Sequence, residues 1–418
     1  MKLTREDISR QISILREKCQ DESFGMNVYP VLNSRGDWIE ENGELRNSKA
    51  DYFSICAIRC ADGKRRLKLI QKEPALVLLL IARVNDNVFL LLNFRSEPGL
   101  IGRTCLTTTI QSTPSNYLRK HGGKETPYVS YANGDTRSGK VIYDELQYDW
   151  LDFYLFKNKR YLIREIETMP VANHGYEWVD LKIAEQTLFE DQLISSDLRT
   201  LLLIYLNLQE LQPKVGTQII KQSTTSETNR TSCGERIAIE ELRNTESHFD
   251  STQYRDDMGT GIIFVNTESK SREVKEWIQP LLKPSPPVIK CPLIYCRDVS
   301  GTSKFAVTRK NLLNSMRSEI FDIYEIKDLE LKGILGDKNS TIKNRIKVRN
   351  SAEGGRFYNV FVEIELIEVD PISMVIKDSD VNWLSEEELR RNINTSLKTS
   401  LELRTAFSLY SFNKSLRK

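Results

Sequence analysis

Apolar residues in this chain gather in short blocks and alternations more than at helical spacing, which predicts strands. The longest block, 75–82, lies between Pro74 and Arg83 and reads as a strand buried on both faces. A second apolar segment, 88–94, follows the turn composition Asn85-Asp-Asn87, so the two form a hairpin. Further strands are expected at 51–58, 141–146, 153–156 and 161–166. The second half repeats the order: an extended segment at 260–266, then a strand pair at 292–296 and 304–308 around Val299-Ser-Gly-Thr302, then strands at 345–349 and 357–369. Helical spacing takes over at 181–208 and again at 385–412. Ser385-Glu-Glu-Glu388 has the spacing of a capping box, with Ser385 as N-cap. Each half is therefore α+β, a mixed curved sheet closed by C-terminal helix.

Three short matches recur at nearly one spacing. Trp178 and Trp383 lie 205 residues apart, as do Asp197-Leu-Arg-Thr and Glu402-Leu-Arg-Thr; Phe153-Tyr154 and Phe357-Tyr358 lie 204 apart. A period this long predicts a duplicated domain rather than a solenoid. The expected division is a first repeat at 1–211 with an N-terminal helix, a linker at 212–236 rich in Ser, Thr, Gln and Lys, and a second repeat at 237–418.

Bulk properties narrow the partners. The chain has 418 residues, 39% apolar and 28% charged, enough to bury a large core. A net charge of +2 gives no basis for a nucleic-acid or membrane-surface partner. No apolar run approaches the ~20 residues that span a bilayer, and the N-terminus lacks the apolar stretch of a secretory signal. The seven cysteines are scattered without a C-x-x-C pair, which predicts no structural zinc and reduced thiols in the cytoplasm.

Several motifs carry chemistry. Arg95-Ser-Glu-Pro-Gly99 ends the predicted hairpin; Thr107-Thr-Thr-Ile-Gln-Ser-Thr-Pro-Ser-Asn-Tyr117 and His121-Gly-Gly123 follow. Glu276-Trp-Ile-Gln-Pro-Leu281 and Ser351-Ala-Glu-Gly-Gly-Arg-Phe-Tyr358 lie in the second half. Together they resemble the signature of the NDP-hexose 2,3-dehydratases, over most of the chain from about Trp38 to Tyr410. The resemblance implies two tandem Nudix-like repeats, a homodimer, and action on a nucleotide-linked 4-keto-6-deoxyhexose, with TDP favoured. The catalytic box of Nudix hydrolases is absent, so pyrophosphate hydrolysis is not implied. Some family motifs are altered: a first-half W-x-Q-P is Leu69-Ile-Gln-Lys72 here, and Gln147-Tyr-Asp-Trp-Leu151 replaces Q-S-E-Q-G. The second-half counterpart of the first loop is not recognisable across 308–327, so one composite site is expected rather than two.

The implied reaction needs a base for the proton on carbon 3, donors at the carbon-4 oxygen and an acid for the departing hydroxyl on carbon 2. No redox cofactor or metal is called for, and a separate 3-ketoreductase would reduce the product. Candidate catalytic groups are Glu97, Tyr117, His121, Glu353 and Tyr358. Candidate substrate-binding groups are Arg95 and Arg119 for the diphosphate, Gln111, Ser115 and Asn116 for hydroxyls, Arg356 beside the glycine bend, and Trp277 with Gln279 near the base. Each has an ordinary structural alternative: a turn-capping carboxylate, a backbone-bonded loop histidine, a core aromatic, a local Glu–Arg pair. The alternative reading of the whole chain is a non-catalytic or diverged nucleotide-sugar-binding paralogue.

Overall fold

The computed structural model describes residues 4–21, 26–31, 34–49, 52–60, 63–119, 125–132, 139–149, 153–211, 235–243, 252–269, 277–297, 300–311, 319–323, 342–369, 381–393 and 398–415. They divide into two units. The first comprises residues 1–199, 233–290 and 348–363; the second comprises 200–232, 291–347 and 364–418. Both are α+β, with mostly antiparallel sheets and few helices.

In the first unit, a seven-stranded sheet runs in the order Lys140–Tyr148, Asn158–Ile166, Ala75–Val84, Asn87–Ser96, Tyr176–Asp180. Thr104–Thr107 pairs with Asn87–Ser96, and Ile110–Ser112 with Ala75–Val84. The apolar block forms the central strand, and Val77 through Ile81 are 0% exposed. Leu76, Leu78 and Leu80 join Leu91, Ile110 and Leu162 in one cluster. The parallel neighbour Asn158–Ile166 flanks the block on one edge, which explains apolar residues on both faces. The hairpin closes through Asn85 at φ 47° and Asp86 at φ 64°, left-handed positions that Asn and Asp tolerate best after glycine.

Two further sheets complete this unit. One joins Tyr154–Phe156, Arg65–Ile70, Ser54–Arg59, Glu44–Asn47 and Trp38–Glu41, with Glu235–Ile237 on Ser54–Arg59. The other joins Met26–Val31, Gly261–Ser269 and Thr252–Arg255, with Trp277–Lys283 on Gly261–Ser269. Buried Asp256 ties them, accepting from the Leu67 amide at 2.9 Å and the Thr260 amide at 2.8 Å.

The second unit is built on a sheet ordered Ile342–Ser351, Phe361–Val369, Val288–Arg297, Ser303–Asn311, Glu319–Ile323, with Val381–Ser385 also on Ser303–Asn311. Its first four strands follow the chain order of the seven-stranded sheet: third-last, second-last, first and second. Val381–Ser385 lies against Ser303–Asn311 as Tyr176–Asp180 lies against Asn87–Ser96.

Each predicted C-terminal helix is broken in two. The chain forms Leu181–Thr187 and then Ser196–Leu211; later it forms Glu386–Ile393 and then Leu401–Ser415. A fresh N-cap starts each second helix: Ser195 Oγ accepts from the Leu198 amide and Ser400 Oγ from the Leu403 amide, both at 3.2 Å. Gln192 at φ 64° helps turn the chain between the first pair. The hydroxyls of Thr200 and Thr405 meet at 2.6 Å. Most of the expected linker, 212–234, lies outside the described residues; 235–237 is strand and Ile239–Leu242 a 3-10 turn. Among the described residues no helix is long and apolar enough to cross a membrane.

The capping box at Ser385 is fully formed. Its Oγ accepts from the Glu388 amide at 3.2 Å, and Glu388 Oε2 accepts from the Ser385 amide at 2.8 Å. Replacing Ser385→Ala is expected to cost about 1 kcal/mol. Urea denaturation followed by circular dichroism would read this as a lowered midpoint for the second unit with an unchanged slope.

Candidate functional site

Within the first unit, the two glycine-containing motifs from distant parts of the sequence interlock. The Gly99 amide donates to the Gly354 carbonyl at 2.8 Å, and the Asn359 amide donates to the Gly99 carbonyl at 2.8 Å. A Cβ on Gly99 would stand 1.7 Å from the Phe357 carbonyl oxygen, and one on Gly354 would stand 2.6 Å from the Leu100 side chain. Only glycine admits this approach. The carboxylate of Glu97 closes the join, accepting from the Gly355 amide at 3.2 Å and pairing with Arg95 Nε at 2.8 Å. Arg95 also donates to the Gln111 carbonyl, and the Gln111 side-chain oxygen accepts from Thr107 Oγ1 at 2.8 Å.

Behind Glu353 lies a cluster of ionised groups that the sequence did not reveal. Lys157 donates to Glu353 Oε2 and to Tyr154 Oη, the latter at 2.9 Å. It also pairs with Asp149 at 2.9 Å. Lys159 pairs with the same Asp149 oxygen and with Asp197, each at 2.9 Å, and stands 3.7 Å from Glu353. Tyr161 donates to Asp197 at 2.6 Å. The side chains of Lys157, Asp149 and Asp197 are 0% exposed and that of Lys159 is 1%. Burial works against the charge of Glu353, but Lys157, Lys159 and Arg356 outweigh it and hold its carboxyl well below the usual range. Burial likewise opposes the charge on Lys157, and Asp149 and Glu353 raise its pKa above the ordinary lysine value. Burial pushes the Tyr154 phenol well up, so it stays protonated.

Arg356 links this cluster to a cavity. Its guanidinium lies 4.0 Å over the Phe53 ring and donates to Gln71 Oε1 at 3.1 Å and to the Gly355 carbonyl at 2.8 Å. Phe53 and Gln71 line a cavity of about 500 Å³, together with Arg46, Lys49, Tyr52, Lys72, Glu73, Thr113 and Ser115 among others. Trp277 meets Tyr52 edge-on at 4.9 Å. Ser115 is buried, and its amide donates to Glu73 at 3.1 Å.

The predicted residues are thus partly gathered. Glu97, Arg95, Gln111, Glu353 and Arg356 form one connected set, and Ser115 and Trp277 reach the cavity directly or through Tyr52. Tyr358 packs instead against the Ile263, Val265 and Leu281 cluster. Tyr117 packs against the Leu76–Leu78 cluster, while Asn116 and Arg119 are exposed, Arg119 at φ 57°. Gln279 lies on the strand Trp277–Lys283, paired with Val265. His121 lies outside the described residues. Sequence reasoning missed Lys157, Lys159, Asp149, Asp197 and Gln71; the one available signal was charged residues alternating along a strand that otherwise reads as buried. Among the described residues no group of His, Cys, Asp and Glu is placed to hold a metal ion.

A family model described as NDP-hexose 2,3-dehydratase matches residues 11–204. A dTDP-4-dehydro-6-deoxy-alpha-D-glucopyranose 2,3-dehydratase of Streptomyces violaceoruber is 26% identical over 87% of this chain and 88% of its own length. The enzyme of that name from Saccharopolyspora spinosa is 22% identical over 80% of this chain and 76% of its own length. The chain is thus similar to NDP-hexose 2,3-dehydratases, through the family model over its first half and through these enzymes over most of its length. An ADP compounds hydrolase of known crystal structure aligns over 46% of this chain and 96% of that one, at 11% identity and a TM-score of 0.26. The segment matched by the family model contains Glu97, Gln111, Lys157 and Lys159, whereas the Glu353–Tyr358 bend lies beyond it.

Gly99→Ala should break the interlock, because the added carbon has only a backbone oxygen to meet. A loss of about 2–3 kcal/mol is expected, measured as a fall in thermal midpoint. Gly102→Ala is the control: its Cβ would find its nearest neighbour 3.7 Å away, and the midpoint should stay put.

Proposed function

We propose that the protein is an NDP-4-keto-6-deoxyhexose 2,3-dehydratase of deoxysugar biosynthesis, taking a dTDP-linked hexose. The observation that carries this is the joining of Glu97, Arg95, Glu353 and Arg356 into one charged set whose Arg356 abuts a polar cavity of about 500 Å³. That volume falls in the range of small-ligand sites. The named activity of the relatives supports the choice of nucleotide and sugar.

In this reading Arg356 and the cations of the cavity wall hold the diphosphate, and Tyr52 with Trp277 offers aromatic surface to the base. Glu97 takes the proton from carbon 3, and the charge moves onto the carbon-4 oxygen. Hydroxide then leaves carbon 2 with a proton supplied by His121, whose ordinary pKa lies near neutrality, so one water is lost. The resulting enol becomes a 3,4-diketone, the substrate of a partner 3-ketoreductase. Glu353, already bound to Lys157, serves as a fixed anion rather than as the base.

The same reading extends to architecture and place. Two tandem Nudix-like repeats, divided near 212–236, are supported by the shared strand order of the two large sheets and by the Ser195 and Ser400 caps. Homodimerisation follows from the resemblance and is checked by solution mass. A cytoplasmic setting is supported by Cys19, Cys56, Cys105, Cys291 and Cys296, which are buried free thiols rather than disulfides.

The test mixes the protein with a dTDP-4-keto-6-deoxyhexose, a 3-ketoreductase and NADPH. Dehydration followed by reduction is expected, seen by mass as a net loss of one oxygen from the sugar, and Glu97→Gln should lower kcat by about 10² or more. A thermal shift with the nucleotide-sugar but no dehydration would replace this reading with the binding paralogue.

A further inference from the structure

The buried lysines are hard to explain as a source of stability. Two ammonium groups and the carboxylates of Asp149, Asp197 and Glu353 have been taken out of water inside a unit rich in apolar side chains. A buried ion cluster of this kind typically adds little over a well-packed apolar one, because desolvation consumes the Coulombic gain. What the cluster does provide is geometry. Lys157 sits between Asp149 at 2.9 Å on one side and Glu353 on the other, with Tyr154 Oη at 2.9 Å as a third contact. Lys159 braces Asp149 from behind and is itself held by Asp197 at 2.9 Å. Tyr154 donates a second hydrogen bond to Glu353 at 3.3 Å. Glu353 is the residue from which the bend springs: its carbonyl accepts from the Arg356 amide at 3.0 Å and the Phe357 amide at 2.9 Å. Whatever fixes Glu353 therefore fixes where Arg356 emerges onto Phe53 and Gln71.

We propose that Lys157 and Lys159 are positioning residues for the dehydration, a buried clamp that holds the Glu353 carboxylate in one orientation and thereby sets the Arg356 guanidinium at the cavity. This rests on the dehydratase reading for the role of Arg356, but the clamp itself is a statement about Glu353. The groups facing Glu353 are Lys157 and Tyr154 from one segment, Lys159 from the strand Asn158–Ile166 and Arg356 from its own bend. Asp149 lies behind the lysines, and Arg95 and Glu97 flank the bend. With the clamp intact, Glu353 is ionised throughout the working range. With Lys157 gone, burial is the largest influence left on it, and its protonation moves upward.

The experiment compares wild type, Lys157→Met and Tyr154→Phe in steady-state kinetics from about pH 5 to about pH 9. For Lys157→Met, kcat should fall about 10²-fold at neutral pH, with KM changed by less than about threefold. Relative to wild type, its kcat should also gain a limb that rises with pH toward neutrality. Tyr154→Phe removes one hydroxyl and keeps the ring, so it decides the matter if Lys157→Met does not fold; it should fall about tenfold in kcat with the same direction of pH change. Infrared difference spectra against Glu353→Gln report the Glu353 carboxylate without any turnover. They should show it ionised at neutral pH in wild type and partly protonated in the clamp variants. Folded variants with wild-type kcat, or with Glu353 still ionised at neutral pH and the wild-type pH profile, would overturn the clamp. A wild-type protein that shows the infrared result but dehydrates no nucleotide-sugar would instead overturn the dehydratase reading.

Discussion

The contact on which the site depends is the ion pair between Lys157 and Glu353, made where Lys157 has no water to fall back on and the Glu353 side chain is only 14% exposed. An unpaired charge in such a place costs several kcal/mol, so the pair is held by necessity. Asp149 and Asp197 extend it into a chain, and that chain ties the strand Asn158–Ile166 to the bend at Ser351–Tyr358. Residues nearly two hundred positions apart are joined by charge, with the rings of Phe153 and Tyr154 packed edge-on against Phe357 beside the pair.

The glycine interlock supplies the second constraint. Gly99 and Gly354 let two backbones pass at distances no side chain would allow. That approach brings the Glu97 carboxylate to the Gly355 amide and leaves Arg356 directed at Phe53 and Gln71. Charge and close approach act on the same bend from opposite sides. The bend therefore has little freedom, as a group that must meet a substrate in one orientation requires.

Much of the scaffold was legible from local pattern. The apolar block at Ala75–Ala82 could only be a buried strand, Asn85 and Asp86 could close a hairpin with little strain, and Ser385 with Glu388 made a capping box because each satisfies the other's backbone. The helix breaks at Ser195 and Ser400 were written in the sequence as N-cap residues but were masked by continuous apolar spacing around them. Glu97, Glu353 and Arg356 were legible as candidates because glycines beside charged residues mark backbone in unusual conformations.

The sequence by itself determined which segments are strands, where the chain must turn and which motifs are chemically unusual, since these follow from periodicity and backbone preference over a few residues. Tertiary structure alone decided that the bend at Ser351–Tyr358 joins the unit built by the first 199 residues, and that Lys157 and Lys159 face inward to carboxylates. A lysine on a strand is read as solvated until its partners are known, and here those partners come from a loop end, a helix start and a distant bend. Tyr358, chemically as suggestive as its neighbours, was turned into an apolar cluster by the same bend that lays Arg356 on Phe53 and Gln71. Alternate residues around a tight turn face opposite ways, and only the packed backbone says which.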